Sequence, residues 1–339
     1  MKTVRIGQLG LGRLGYEHAR NLATAVPGAS LDAVCHIHED RLVQVADELG
    51  IEKRFTDFAQ MCADPELDAI VIVSPSIFHT EHIRMALEAG KHVFCEKPLD
   101  TTVEKCKEAE ALVLAHPDQI FMLGFMRRFD RSYQKAMEKI RRGDIGRVSM
   151  VRSYTADPFA TIEGTLKFAP KSGGQFLDMC VHDIDLIRWF TGSDPKRVWA
   201  IGDTFEFTQM KEWNDTDQSC AMMQCENGAM AFIYASRVAK NGSNVETEII
   251  GTRGQLRIGA VGTDTMMEVF TDEGILRETY ADWVLRWHDA YIAEMAEFVN
   301  CVRENRKPEI TAHDGTCAST VAYACRDSYA SGKLLEIRY

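Results

Sequence analysis

Val4-Arg5-Ile6-Gly7-Gln8-Leu9-Gly10-Leu11-Gly12-Arg13-Leu14-Gly15 is the stretch from which the rest of the chain can be read. A short apolar run ends in three glycines spaced GxGxxG, and a helical pattern starts at once. By spacing alone the triplet is a weak signal. Its place between a strand and a helix gives each glycine a distinct role. Gly10 makes the tight turn, Gly12 lets backbone approach a pyrophosphate, and Gly15 lets helix pack on strand. A plain strand-to-helix turn explains one glycine but not three. Arg13 and Leu14 belong to the same dinucleotide-binding turn.

Working outward, short apolar runs at 4–9, 31–35, 69–73, 92–95 and 120–124 alternate with helical patterns at 14–25, 40–49, 58–63, 79–89 and 103–115. Strand, helix, strand in that rhythm predicts an α/β fold: a doubly wound parallel sheet with right-handed crossovers, the Rossmann arrangement. After Arg127 the rhythm changes. A helix at 132–141, a strand at 148–154 and a helix at 174–190 lead into closely spaced strands at 198–204, 217–225, 229–235, 246–251, 254–258, 266–271 and 275–280. Turns such as Glu226-Asn227-Gly228 join them in hairpin style. The expectation is a dinucleotide-binding domain over 1–123 and an α+β domain over 124–339 on a large, mostly antiparallel open sheet. Helices at 288–303 and 314–331 close the chain, the last of them a candidate to pack back on the first domain.

Composition sets limits. With 339 residues, 45% hydrophobic and 26% charged, the chain has the make-up of a two-domain globular protein. A balance of 39 basic against 50 acidic residues, net −11, argues against nucleic acid as a partner. The basic run from Arg127 to Arg147 is interleaved with Asp130, Glu138 and Asp144 and reads as a solvated helix face. No apolar stretch is long enough to span a bilayer, and the N-terminus enters a strand instead of a leader, so no membrane role and a cytoplasmic location are expected. Ten cysteines are scattered through apolar runs without a CxxC pair and read as reduced, buried thiols.

Where a Rossmann site normally carries an acid for the adenosine ribose of NAD, this chain reads Ala33-Val34-Cys35-His36. A neutral imidazole hydrogen-bonds a ribose hydroxyl and does not repel a 2′-phosphate, so NAD is expected with NADP left open. The alternative is that Asp32 or Glu39 does the work of the acid. Two further constellations carry chemistry. Lys97 lies between Glu96 and Pro98 at the C-terminal end of a parallel strand, where open α/β sheets place ligands, and is suited to stabilise a developing alkoxide. Asp178, His182 and Asp185 fall on one face of a single predicted helix, with a carboxylate able to orient an imidazole acting as general base. A structural core pair and a metal site are the other readings of that helix; no metal is expected, because a second His or Cys ligand is not nearby.

Taken together, the glycine triplet, Ser74-Pro75 followed by His79, Ala89-Gly90-Lys91-His92-Val93 leading to Glu96-Lys97-Pro98, and Gly173-Gly174 leading to Asp178 and His182-Asp183 resemble the glucose-fructose oxidoreductase / inositol dehydrogenase family, Gfo/Idh/MocA, along nearly the whole chain. Within it, 124–130 and 178–185 look most like bacterial inositol 2-dehydrogenases. The resemblance implies that Lys97, Asp178 and His182 form the catalytic group. It also implies that Glu96 holds the nicotinamide ribose, and that Ser74, Pro75 and His79 serve the cofactor, with Lys97 touching cofactor and substrate alike. Arg127 and Asp157, with the catalytic trio, would meet the hydroxyls of a cyclic polyol. The product would be a 2-keto-inositol, and a homotetramer packed through the second-domain sheet is implied. Two departures stand out: His36 in place of the acid, and the loop 239–244 without an aromatic residue, which leaves scyllo- and myo-inositol equally credible. An aldose, an anhydrosugar or a nucleotide sugar is the alternative substrate. A non-catalytic NAD(P)-binding sensor is the alternative of another class, and it has no need of Lys97, Asp178 and His182 together.

Overall fold

The computed structural model describes residues 3–259, 263–272 and 274–339. The chain divides into two compact units, one running to Asp130 and taking in Asp289–Ser319, the other Arg131–His288 with Thr320–Tyr339.

The first unit contains β1 (Val4–Leu9), α1 (Arg13–Thr24), β2 (Ala29–Cys35), α2 (Glu39–Leu49), β3 (Lys53–Phe55), α3 (Phe58–Cys62), β4 (Ala69–Ile72), α4 (His79–Glu88), β5 (His92–Glu96), α5 (Val103–Ala115) and β6 (Phe121–Gly124). Its sheet has six strands in the order β3-β2-β1-β4-β5-β6, all parallel. The order reverses between β1 and β4, so the carboxyl ends of these strands form the crevice at which doubly wound sheets take ligands. Each expected helix and strand is present within a residue or two, as helix and strand ends allow. The short edge strand β3 is additional; three residues are too few to show an alternation.

The expected boundary at 123/124 differs from the compact unit, and packing gives the reason. One apolar cluster joins Ile6, Leu31, Val34, Val71, Phe94 and Met122 of the sheet to Met295, Phe298, Val299 and Cys301. Fully burying a side chain such as Phe298 contributes about 1.5–3 kcal/mol, so these late residues are part of the first core. Arg128 pairs with Asp314 at 3.2 Å. Arg127 and Arg128 are both buried, which corrects their reading as part of a solvated face; Arg131, Lys135, Lys139, Arg141, Arg142 and Arg147 are exposed as expected.

The second unit begins with α6 (Arg131–Arg141), β7 (Val148–Pro158), α7 (Ile162–Phe168), α8 (Gln175–Asp178) and α9 (Val181–Thr191). Then come β8 (Pro195–Asp203), β9 (Gln218–Cys225), β10 (Met230–Ala239), β11 (Asn244–Gly251), β12 (Gln255–Ile258), β13 (Thr263–Thr271) and β14 (Gly274–Thr279). The helices α10 (Trp283–Glu304) and α11 (Ala312–Ser331) and the short β15 (Leu335–Glu336) finish the chain. The large sheet is ordered β12-β11-β7-β10-β9-β8-β15, antiparallel except for the β7–β10 pair. Of the strands expected to join it, β13 and β14 instead form, among the described residues, a two-stranded sheet of their own. One sheet face is covered: Asp183 of α9 accepts hydrogen bonds from Ser153 and, at 2.7 Å, from Thr155 of β7. The other face alternates outward, with Trp199, Ile201, Met222 and Met230 exposed.

All ten cysteines are free thiols, and all but Cys220 are buried. Among the described residues no helix is long and apolar enough to cross a membrane.

Candidate active site

In the first unit the three glycines are needed for three different reasons. Gly10 has φ +93°, and a Cβ there would stand 2.3 Å from the Val73 carbonyl oxygen. A Cβ on Gly15 would stand 2.2 Å from the Gly10 carbonyl oxygen. Gly12 has an ordinary φ of −66°. A Cβ on it would meet no protein atom within 4 Å. Nothing in the protein excludes a side chain at Gly12; an incoming group seated against the backbone would. Gly12 caps α1 without a side-chain hydrogen bond of its own, and the first-turn amides of the helix, those of Arg13 and Leu14 among them, follow directly on the glycine turn. This cradle fits a dinucleotide pyrophosphate. Sequence reading missed its support: the buried Gln8 amide donates to the Gly10 and Gly15 carbonyls at 3.0 and 2.5 Å.

His36 follows the end of β2, and its Nδ1 accepts the Leu11 backbone N–H at 3.4 Å. Burial first, then the nearby His38 and Arg41, lower its pKa, so the imidazole is neutral and carries its proton on Nε2, a donor suited to a ribose hydroxyl. Asp32, the alternative, lies within β2 and accepts a hydrogen bond from Ser30. Arg41 donates to the Leu11 carbonyl at 2.9 Å, adding positive charge to the same loop.

Ser74 hydrogen-bonds His82 at 2.9 Å, and Pro75 leads into the turn Ser76–Phe78. His79 is a correction. It is buried, and its two ring nitrogens lie 2.9 Å from the Pro98 and Ser74 carbonyl oxygens, which leaves no nitrogen for a cofactor. It braces the two loops instead. Glu96 ends β5 with one oxygen 2.8 Å from His18 Nε2 and the other accepting the Lys97 backbone N–H at 3.0 Å. Lys97 is half-buried, and its peptide bond to Pro98 is cis. Arg127, read as belonging to the second domain, is a buried residue of the first unit.

In the second unit, the expected single helix over 174–190 is two helices. The Met179 and Cys180 amides both reach back to the Gln175 carbonyl, and a new ladder starts with Ile184 on Cys180. Asp178 therefore closes α8 while His182 lies in the first turn of α9, and the four-residue spacing is not the register of one helix. His182 and Asp185 are buried and Asp178 is partly exposed. Gly173 and Gly174 both have positive φ, +83° and +91°, which explains the glycine pair.

Arg237, on β10, is a residue that sequence reading missed. It is 1% exposed and donates to Asp178 at 2.8 Å, with Asp215 at 3.4 Å. Asp178 and Asp215, with a further contribution from Asp157, outweigh its burial and raise its pKa. Asp215 also accepts the Gln175 backbone N–H at 2.7 Å, capping the start of α8. The Gln175 side chain accepts from Thr216 and Ser219 at 2.9 and 2.6 Å. α8, four residues long, is thus clamped at both ends. The sequence signal, a lone Arg within an apolar strand, has no partner spaced near it.

Residues 4–125 match the NAD-binding Rossmann domain of the Gfo/Idh/MocA oxidoreductase family, and residues 133–257 match a Gfo/Idh/MocA C-terminal domain. The chain belongs to the Gfo/Idh/MocA family. It is 36% identical to a scyllo-inositol 2-dehydrogenase (NAD+) of Bacillus subtilis, covering 98% of this chain and 96% of that protein. It is 34% identical to a myo-inositol 2-dehydrogenase of Thermotoga maritima over 96% of each. Among solved structures, a scyllo-inositol dehydrogenase from Lactobacillus casei with bound NAD(H) and scyllo-inositol is 41% identical, with a TM-score of 0.95 over 99% of each chain.

Two expected outcomes follow from the geometry. Gly12→Ala keeps the thermal midpoint near that of the wild type but weakens NAD binding about tenfold or more, whereas Gly10→Ala loses about 1–3 kcal/mol of stability to backbone strain. Calorimetry of binding and of unfolding separates the two. Arg237→Met strands Asp178 and Asp215 and destabilises the fold by about 3–5 kcal/mol, measured by urea unfolding, while Arg237→Lys recovers part of that loss.

Proposed function

We propose that this chain is a dehydrogenase that uses NAD to oxidise one ring hydroxyl of inositol, scyllo or myo, to the 2-keto-inositol. The observation that carries the reading is the joint presence of the Gly12 cradle, Lys97 beside Glu96, and Asp178 held by Arg237 in a chain that matches inositol dehydrogenases end to end. The two isomers differ in configuration at one carbon, and oxidation there removes the difference, so both lead to the same ketone.

Lys97, Asp178 and His182 are the catalytic group. His182 takes the proton of the reacting hydroxyl as general base, and the Lys97 ammonium hydrogen-bonds the same oxygen as negative charge develops on it. Asp178, fixed by Arg237, supports the charge that His182 gains. Bound NAD supplies the hydride acceptor. Gly10, Gly12, Arg13, Leu14 and Gly15 hold the pyrophosphate, His36 the adenosine ribose and Glu96 the nicotinamide ribose. Ser74 and Pro75 line the nicotinamide, and Arg127 and Asp157 receive the remaining polyol hydroxyls. NADP is the alternative cofactor, because His36 and Arg41 do not repel a 2′-phosphate.

The first unit is the cofactor-binding part and also carries Lys97 and Arg127, and the second unit supplies the other substrate-binding residues. The open sheet face with exposed Trp199, Ile201, Met222 and Met230 supports self-association, as a homotetramer. Ten free thiols suit a reducing compartment, the cytoplasm.

The test is the initial rate of reduced-nicotinamide formation with scyllo-inositol, myo-inositol, glucose and xylose, each with NAD and with NADP. Turnover of an inositol is expected; turnover of an aldose alone overturns the substrate, and silence throughout overturns the inositol reading in favour of another sugar or the sensor. Lys97→Ala and His182→Ala each lower kcat by about 10²–10⁴. His36→Asp leaves NAD turnover in place and cuts kcat/KM for NADP by about tenfold or more through repulsion of the 2′-phosphate.

A further inference from the structure

Three residues far apart in the chain meet inside the first unit: His18 of α1, Glu96 at the end of β5 and Glu294 of α10. One ligating atom from each lies within 4.8 Å of the other two, and all three residues are buried. The surroundings are apolar and aromatic: the His18 ring lies 5.9 Å from Phe94 and 5.3 Å from Tyr291, and Phe94 packs on Phe298. Glu96 is held at both oxygens, by His18 and by the Lys97 amide. In contrast, both Glu294 oxygens and His18 Nδ1 are buried without a hydrogen bond.

Two carboxyl groups this close, walled by apolar side chains and with no Lys or Arg paired to Glu294, do not both ionise. Glu96 already accepts two hydrogen bonds, as a carboxylate does, so the proton belongs on Glu294. His18 Nε2 pairs with Glu96, and a neutral Glu294 leaves that pair the one negative charge of the buried cluster. We propose that Glu294 is kept as a neutral carboxylic acid beside the His18–Glu96 pair, which leaves Glu96 charged and makes His18 a positioning residue for the nicotinamide end of the site. Burial first, then the Glu96 charge, push the Glu294 carboxyl far above the usual carboxylate range. The titratable groups facing it are Glu96 from β5 and His18 from α1, with Tyr291 of its own helix against the imidazole.

The cofactor role of Glu96 rests on the function proposed above; the protonation of Glu294 does not. The experiment therefore has two readouts on the full chain. In infrared difference spectra at neutral pH, wild type minus Glu294→Gln, a protonated-carboxyl stretch that shifts in heavy water is expected; its absence overturns the proposal. In steady-state kinetics, Glu294→Gln, neutral and of similar shape, keeps the KM for NAD within about twofold, while His18→Phe, which removes the hydrogen bond to Glu96, raises it about tenfold with little change in kcat, the size of one lost hydrogen bond to a charged group. A Glu294→Gln variant as impaired as His18→Phe overturns the proposal, because an ionised carboxylate is then required. So does a divalent metal retained by the wild type through desalting and lost from Glu294→Gln. Should His18→Phe fail to fold, the infrared band and Glu294→Gln still decide. A carboxyl band with an unchanged cofactor KM in Glu96→Gln upholds the neutral acid and locates the failure in the role given to Glu96.

Discussion

The carbonyl oxygen of Gly10 occupies the place where any side chain at position 15 would have to stand. That one contact brings the start of α1 onto the turn after β1 and leaves no freedom in how the helix leaves the strand. A second contact, Gly10 against the Val73 carbonyl, ties the same turn to the end of β4. The Gln8 amide nitrogen then satisfies both glycine carbonyls from within the sheet. Everything on the cofactor side inherits its position from this crossing. The first-turn amides of α1 point where they do, and His18, in the second turn of the helix, reaches Glu96 at the end of β5.

The second unit uses charge where the first uses close backbone approach. α8 is too short to be stable alone, and its two ends are held from distant strands, by Asp215 at the start and by Arg237 at Asp178. A buried guanidinium between two carboxylates is costly to desolvate and very sensitive to loss of either partner, which suits a device whose value is fixed geometry more than stability. The break between α8 and α9 follows from the same clamp: Asp178 is held toward β10 while α9 is held by Asp183 on β7.

How much of this the sequence shows depends on how local the cause is. The parallel order of the first sheet, the glycine cradle and the Glu96-Lys97-Pro98 strand end are legible because periodicity and neighbouring residues determine them. Family likeness adds Asp178 and His182, but helical periodicity alone misjudges their register, since the break comes from hydrogen bonds to residues 40 or more positions away. Arg237, Gln8 and Glu294 give no local signal at all. His79 illustrates the converse: its spacing after Ser74-Pro75 points to the right loop, yet burial gives both ring nitrogens to backbone carbonyls. The hairpin β13–β14 has the alternation of a sheet strand, and pairing within itself instead of with β12 is a tertiary outcome that alternation does not encode.

Met295, Phe298, Val299 and Cys301 complete a core whose other walls are built from the first 130 residues. On the ribosome those walls emerge long before the residues that fill them. At about 5–20 residues per second, the wait is on the order of ten to thirty seconds. For that interval the nascent first unit carries an apolar face without its cover, which makes it a natural client for a holding chaperone during translation.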